Sequence, residues 1–476
     1  MLTAGAARAS IEPPLPHDLQ GFVRRPVSAT GHTPGDPLQV TGAVFEDDGR
    51  GVVVLAADLA GVDTEAADRI RAAVADALPV DAADVLINCS HSHAAPWLRS
   101  DGAKLGGGHD EYTPVERAYA ERMPYDFASV ALAAWNARTA ARAAGGTGRV
   151  SDLAVNRRER TDDGRTILGW NRELTIDEDM PTIRVDALDG TPISTITAFG
   201  CHPVVVGPDV PWTGSDFVGP LRRRVELLRG GVCVFLQGAA GNVLPLEAFM
   251  DHDGPQRPLG ERMGLEAAHS IADADPVERE VVRLDFGSVT PIALYRKVAA
   301  ADQPAQALGA ARRLVDLPML AAPTLSELEA ELEQREAELV GLRAAGAGRE
   351  RTNPIRYHVS WLRRMIAHGD GLAQWRTSRG EVWAARVGDC AVVGAPGEIF
   401  SEIGREVRER SPFGTTLFAG YCQGILGYVA TPEEHPHGGY EPAVAQRGYD
   451  HPAPFAPEAA AMIVDAALDA LDELAG

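Results

Sequence analysis

The sequence predicts a mixed α/β fold, with parallel and antiparallel sheets flanked by helices. Three patterns lead there. Residues 52–90 read strand, helix, strand, the unit that builds a parallel sheet covered by helices. Two pairs of apolar runs meet at Asp189-Gly190 and at Gly388-Asp389, and each reads as an antiparallel hairpin. Stretches with helical apolar spacing separate the strands.

The elements follow in order. Val52-Val53-Val54-Leu55-Ala56-Ala57 is an apolar run without polar alternation, as in a buried strand. Gly61 and Asp63 supply a turn and helix start. Ala67, Ile70, Val74 and Leu78 then recur at helical spacing until Pro79 stops the pattern. Val85-Leu86-Ile87 is the next strand. Residues 115–142 are Ala-rich and helical in pattern. Residues 182–188 and 193–199 are the arms of the first hairpin, 216–228 read as helix and 232–236 as strand. Residues 383–387 and 390–393 form the second hairpin, and 401–410 carry a helix pattern.

One segment differs in character. Residues 324–344 place Leu325, Leu328, Leu332, Leu339 and Leu342 as an apolar stripe inside a highly charged helix. At about three heptads it is short for a free-standing coiled coil. An amphipathic hairpin packed on its own domain is the preferred reading, and a homo-oligomer through 324–344 the alternative. The whole reads as a single large domain, 1–476, with a helical insertion around 303–370.

Composition excludes several functions. The chain has 476 residues, 45% hydrophobic and 24% charged, which suits an ordinary packed core. It carries 45 Lys and Arg against 67 Asp and Glu, a formal net charge of −22. Such a surface repels phosphate backbones and anionic head groups, so neither nucleic acid nor a lipid surface is the expected partner. No stretch reaches 18 apolar residues, so no membrane insertion is expected. The start MLTAGAARASIEPPLP lacks the pattern of a secretory leader. Cys89, Cys201, Cys233, Cys390 and Cys422 are odd in number, far apart and without a CxxC pair. They suit reduced thiols in a cytoplasm.

The chemistry gathers at strand ends. His91 and His93 follow the 85–87 strand in Asn88-Cys89-Ser90-His91-Ser92-His93, and residues two apart on an extended chain point the same way. They can face one cavity at the carboxyl end of a sheet, where open α/β folds place ligands. One imidazole suits a metal and the other proton transfer, although two ordinary loop histidines read equally well. His202, in Gly200-Cys201-His202-Pro203, again stands just after a strand. Glu398, in Ala395-Pro396-Gly397-Glu398, precedes a helix pattern and suits either a helix-dipole role or an oxygen ligand. Tyr428 and Tyr440 lie twelve positions apart near the end. The loop Gln237-Gly238-Ala239-Ala240-Gly241-Asn242 offers backbone N–H groups for an anion or oxyanion, without a phosphate-loop lysine. His435-Pro436-His437 reads as an exposed loop and candidate lid, and Gly106-Gly107-Gly108-His109-Asp110 as a flexible cavity cover.

The ordered set resembles the zinc-bearing N-terminal catalytic domain of the neutral/alkaline (non-lysosomal) ceramidase family. The family's His-Thr-His-Ser-Gly-Pro stands here as His91-Ser92-His93-Ala94-Ala95-Pro96. Its Pro-Gly-Glu-Phe stands as Pro396-Gly397-Glu398-Ile399, and its Gly-Tyr-Val-Thr-Thr as Gly427-Tyr428-Val429-Ala430-Thr431. Asn156-Arg157 matches a further pair ahead of the second histidine. The resemblance spans nearly the whole chain in separated blocks. It implies a ceramidase-like domain holding one Zn²⁺ through His91, His202, Glu398 and Tyr428. His93 would act on protons, Tyr440 on the reacting carbonyl, Arg157 on substrate, and the Gly241–Asn242 loop on the oxyanion. The implied reaction is hydrolysis of an N-acyl amide by a metal-activated water. A zinc esterase or lactonase on the same site is the second reading, and a non-catalytic member that binds an acyl ligand the third. Leu244 stands where the family carries a serine, which implies a substrate smaller or more polar than ceramide. The family's C-terminal immunoglobulin-like domain has no counterpart here.

Overall fold

The computed structural model describes residues 1–104, 111–252, 254–284 and 292–476. The loop read over Gly106-Gly107-Gly108-His109-Asp110 lies outside the described residues. Strands β1 (Thr3–Ser10), β2 (Gln39–Asp47), β3 (Arg50–Ala57) and β4 (Val85–Cys89) are followed by β5 (Thr139–Arg149), β6 (Asp179–Ala187), β7 (Pro192–Phe199) and β8 (Val232–Gln237). They form one eight-stranded sheet in the order β8-β7-β6-β5-β1-β2-β3-β4. The pairs β3–β4 and β7–β8 are parallel and the others antiparallel. A second sheet of β9 (Leu308–Pro318), β10 (Thr377–Val387), β11 (Cys390–Gly394) and β12 (Thr415–Ala419) runs in sequence order and closes with a parallel β11–β12 pair.

Side-chain alternation explains the layers. Along β3, Val53, Leu55 and Ala57 pack under helices α1 (Thr64–Ala77) and α2 (Pro114–Asn136). Val52, Val54 and Ala56 of the same strand face the second sheet, where they meet Trp383, Val392 and Leu417. Strand β8 repeats the rule: Cys233 and Phe235 lie against α3 (Val218–Arg229) and α4 (Gln256–Ser270), Val234 and Leu236 against the second sheet. The outer face of that sheet, with Val382, Ala384 and Val393, is covered by α7 (Ser401–Arg410) and α8 (Glu458–Ala475). Between the sheets' cover layers and the chain's middle, α5 (Leu325–Ala344) and α6 (Arg349–Ala367) form a hairpin of their own. The result is helix, sheet, sheet, helix, with apolar contact at every interface.

Both predicted hairpins are present, with the turns at the expected Asp189-Gly190 and Gly388-Asp389. Two readings are corrected. The helix expected over 115–142 stops at Asn136, and 139–149 is strand β5, paired with β6 from Arg149↔Asp179 to Ala141↔Ala187. Alanine favours helix, but nine consecutive sheet partners override that preference. Gly145 and Gly146 allow Thr415 and Ser270 to press against this strand, since a Cβ on either would clash. The insertion read as helical around 303–370 opens with strand β9, and only then becomes the α5–α6 hairpin.

The leucine stripe of α5 is covered within the chain. Leu328 packs with Trp361, Leu362 and Met365 of α6, and Leu339 with Ile355 and Val359. The stripe that suggested an oligomer seam therefore serves an intramolecular hairpin. No helix among the described residues is long and apolar enough to cross a membrane.

Candidate metal centre

The two edges of the large sheet come together where the chemistry lies. Asn88, near the end of β4, donates from Nδ2 to Gln237 O at 3.3 Å and accepts from Gln237 N at 2.9 Å. Its side chain thus continues the hydrogen-bond ladder to β8 and joins the edges. Three residues later, His91 takes a left-handed backbone, φ +63°. Its N–H donates to Leu59 O, and its Nδ1 lies 2.5 Å from Ala60 O. His202 follows β7, and its Nδ1 lies 2.7 Å from Ala240 O in the glycine loop. Glu398 follows β11 and is anchored by pairing of Glu398–Ile399 with Tyr428–Val429. The loop comes so close that a Cβ on Gly241 would sit 2.5 Å from Glu398 O.

A carbonyl can only accept, so Nδ1 of His91 and of His202 each carries the proton. Each Nε2 then presents a lone pair. Glu398 Oε2 lies 3.0 Å from His202 Nε2, and Oε1 lies 3.5 Å from His91 Nε2. His93 Nε2 lies 3.2 Å from His91 Nε2. Burial, reinforced at His202 by Arg157, pushes the His202 imidazole down to about 4 and depresses His91 and His93 as well. The neutral imidazoles of His91 and His202 and the Glu398 carboxylate therefore turn lone pairs toward one another. Burial works against the Glu398 charge, and the nearby Arg157 guanidinium helps hold the carboxyl well below the usual carboxylate range. Such a donor set could take a cation, and imidazole nitrogens with a carboxylate suit Zn²⁺. One ring nitrogen each of His91, His93 and His202 could serve as a metal ligand, and the three lie within 4.8 Å of one another.

A solved structure of neutral ceramidase from Pseudomonas aeruginosa superposes with a TM-score of 0.67 at 18% sequence identity, over 99% of this chain and 75% of that one. A solved structure of a ceramidase complexed with C2 gives 0.64 at 15% identity, over 100% and 75%. The fold is that of neutral ceramidase. No family model and no curated protein sequence matches the chain. At these identities it is the ceramidase fold that is shared, and the site must be read from its own residues.

Within that ceramidase fold, the residues singled out in the sequence fall unequally. His91, His93, His202 and Glu398 converge. Arg157 joins them: its Nη1 lies 3.2 Å from His202 Nε2, its Nη2 donates to Tyr428 Oη at 2.9 Å, and its Nε donates to Glu441 at 2.7 Å. Tyr440 stacks edge-on against Tyr428, ring centroids 5.6 Å apart, and is 39% exposed at the rim.

Gly241 and Asn242 do other work than the sequence suggested. The Gly241 N–H donates to Ile399 O at 2.8 Å. Asn242 accepts from Ser401 N at the start of α7 and donates to Glu402. Both are engaged in fixing the loop to the Glu398 segment rather than facing a substrate. His435-Pro436-His437 belongs to a short 3₁₀ turn, Pro432–His437, rather than a free loop. Glu434 within it is buried against Arg158 and Arg160, and Glu441 takes a second bond from Arg158 at 2.6 Å.

Three site residues have no signature in the sequence. Tyr421 donates to Glu398 Oε2 at 3.2 Å, Tyr449 donates to Oε1, and Glu441 anchors Arg157. A tyrosine that contacts a distant carboxylate looks in sequence like any core tyrosine. The left-handed backbone of Tyr421, φ +55°, between Gly420 and Cys422, has no local marker either.

Proposed function

We propose that the chain is a zinc-dependent hydrolase that cleaves the amide bond of an N-acyl compound. The reading is carried by one observation: two carbonyl-fixed imidazoles and a buried carboxylate turn lone pairs toward one another. In this reading His91, His202, Glu398 and Tyr428 hold the ion. Zinc so bound supplies Lewis acidity and lowers the pKa of water to about 7.

The chain's own residues then set the chemistry. Ala60 and Ala240 hold the imidazole tautomers, so no reorganisation precedes binding. His93 stands beside the cluster, and its Nδ1 has no hydrogen-bond partner among the described residues. It is free to accept the proton of the attacking water and return it to the leaving nitrogen. The water oxygen bonds to the carbonyl carbon, the C–N bond breaks, and a carboxylate and an amine leave. Tyr440 at the rim donates to the carbonyl oxygen. Arg157 orients the Tyr428 hydroxyl and brings positive charge close to the reacting carbonyl. All five cysteines are unpaired and buried, which suits a reducing compartment, the cytoplasm.

Elemental analysis of protein purified without added metal tests the reading. We expect about one zinc per chain, lost in the His91→Ala/His202→Ala variant, and turnover of short N-acyl substrates by the wild type alone. A metal-free wild type that takes up no added zinc would refute it.

A further inference from the structure

Glu398 is held symmetrically. Tyr449 donates to Oε1 and Tyr421 to Oε2, and each oxygen also faces one imidazole, His91 or His202. Each phenol occupies one acceptor site of its oxygen and leaves another directed at the histidines. The carboxylate can neither rotate nor turn away without losing a buried hydrogen bond.

The two tyrosines are secured differently. Tyr421 is built into the site by its backbone: its N–H donates to Gly397 O, and its carbonyl accepts from Cys89 N. Tyr449 ends the short turn Ala445–Tyr449, and the groups around it are gripped from outside by the α5–α6 hairpin. Arg447 pairs with Glu331 of α5 at 2.7 Å and lies over the Trp361 ring of α6. Asp450 accepts from Arg364 of α6 at 2.5 Å. Trp361 Nε1 donates to His451 O at 3.0 Å. Three anchors to the hairpin, at 447, 450 and 451, therefore flank Tyr449, which reaches back to Glu398.

We propose that Tyr449 is a positioning residue for the metal centre, and that the α5–α6 hairpin is the back-plate that sets it. The inference rests on the cation reading above. Partners that orient a ligating carboxylate act on affinity: their loss typically weakens metal binding 10- to 100-fold. The hairpin then acts on the carboxylate through Tyr449.

The test is the zinc dissociation constant, measured by competition with a chromophoric chelator, for wild type, Tyr449→Phe and Asp450→Asn. Tyr449→Phe removes one oxygen and keeps the ring. We expect it to weaken zinc binding roughly 10- to 100-fold while the apoprotein still unfolds in one cooperative transition. Asp450→Asn, which weakens the pairing with Arg364 of α6 and also that with Arg99, yet suits the left-handed backbone there, should weaken binding in the same direction by a smaller factor. An unchanged constant for Tyr449→Phe, with zinc bound by the wild type, overturns the inference. So does a weakened constant accompanied by loss of cooperative unfolding in the apoprotein, which marks general loosening. Should Tyr449→Phe not fold, an unchanged constant for Asp450→Asn overturns it instead. A wild type that binds no zinc removes the underlying reading and this inference with it.

Discussion

His91 and His93 stand two residues apart, but a left-handed turn at the first separates their surroundings. His91 is locked to Ala60 through Nδ1, whereas His93 Nδ1 has no hydrogen-bond partner among the described residues. Phe22 packs edge-on against the His93 ring at 4.7 Å, and a Cβ on Gly21 would collide with it. A fixed imidazole suits a ligand and a less committed one suits proton transfer. His93→Ala should therefore retain zinc and lose about 10²- to 10⁴-fold in kcat on an amide. It should lose less on the matching ester, whose leaving group needs less protonation. Metal content and paired amide and ester kinetics check this, and zinc lost from the variant would make His93 a ligand. The sequence marks these histidines because each follows a strand. It leaves Tyr421, Tyr449 and Glu441 unmarked, because their meaning lies wholly in a distant partner.

At the scale of elements, strands and hairpin turns were readable where the pattern is local. Val85–Cys89 and the two Gly/Asp turns are examples, because burial and φ > 0 leave a direct imprint on residue type. Strand β5 was not readable. Its alanines and glycines are chosen by what presses on them, Thr415 on one side and Ser270 on the other. The α5 helix was legible from its leucines, but its partner was not. Leu362 of α6 is fully buried against that stripe. Leu362→Ala should cost about 2–5 kcal/mol in urea denaturation, by lost burial and the cavity left behind. The size of the loss reports how firmly the hairpin is packed.

For the whole molecule, buried histidines set the acid response. Burial pushes His17 and His451 each down to about 4, against about 6.5 for an unfolded chain. Below pH 6.5 the unfolded chain binds protons that the folded one refuses, so stability falls as pH drops from about 6.5 toward 4. Urea midpoints recorded at steps through that window should decrease steadily. A flat profile would mean that these rings gain protons without unfolding. The layered architecture was legible only as a class. Which face of each strand meets helices and which meets the second sheet depends on pairings that no local pattern specifies.

The joining of the two sheet edges by Asn88 has a consequence for timing. His91 and His202 are synthesised long before Glu398, Tyr421 and Tyr449, and the second sheet that carries Glu398 is completed only by β12. Until Glu398 has been synthesised, the two imidazoles have no carboxylate to complete the set. Under the metal reading proposed above, ion capture therefore waits for Glu398, and so reports that the last third has docked.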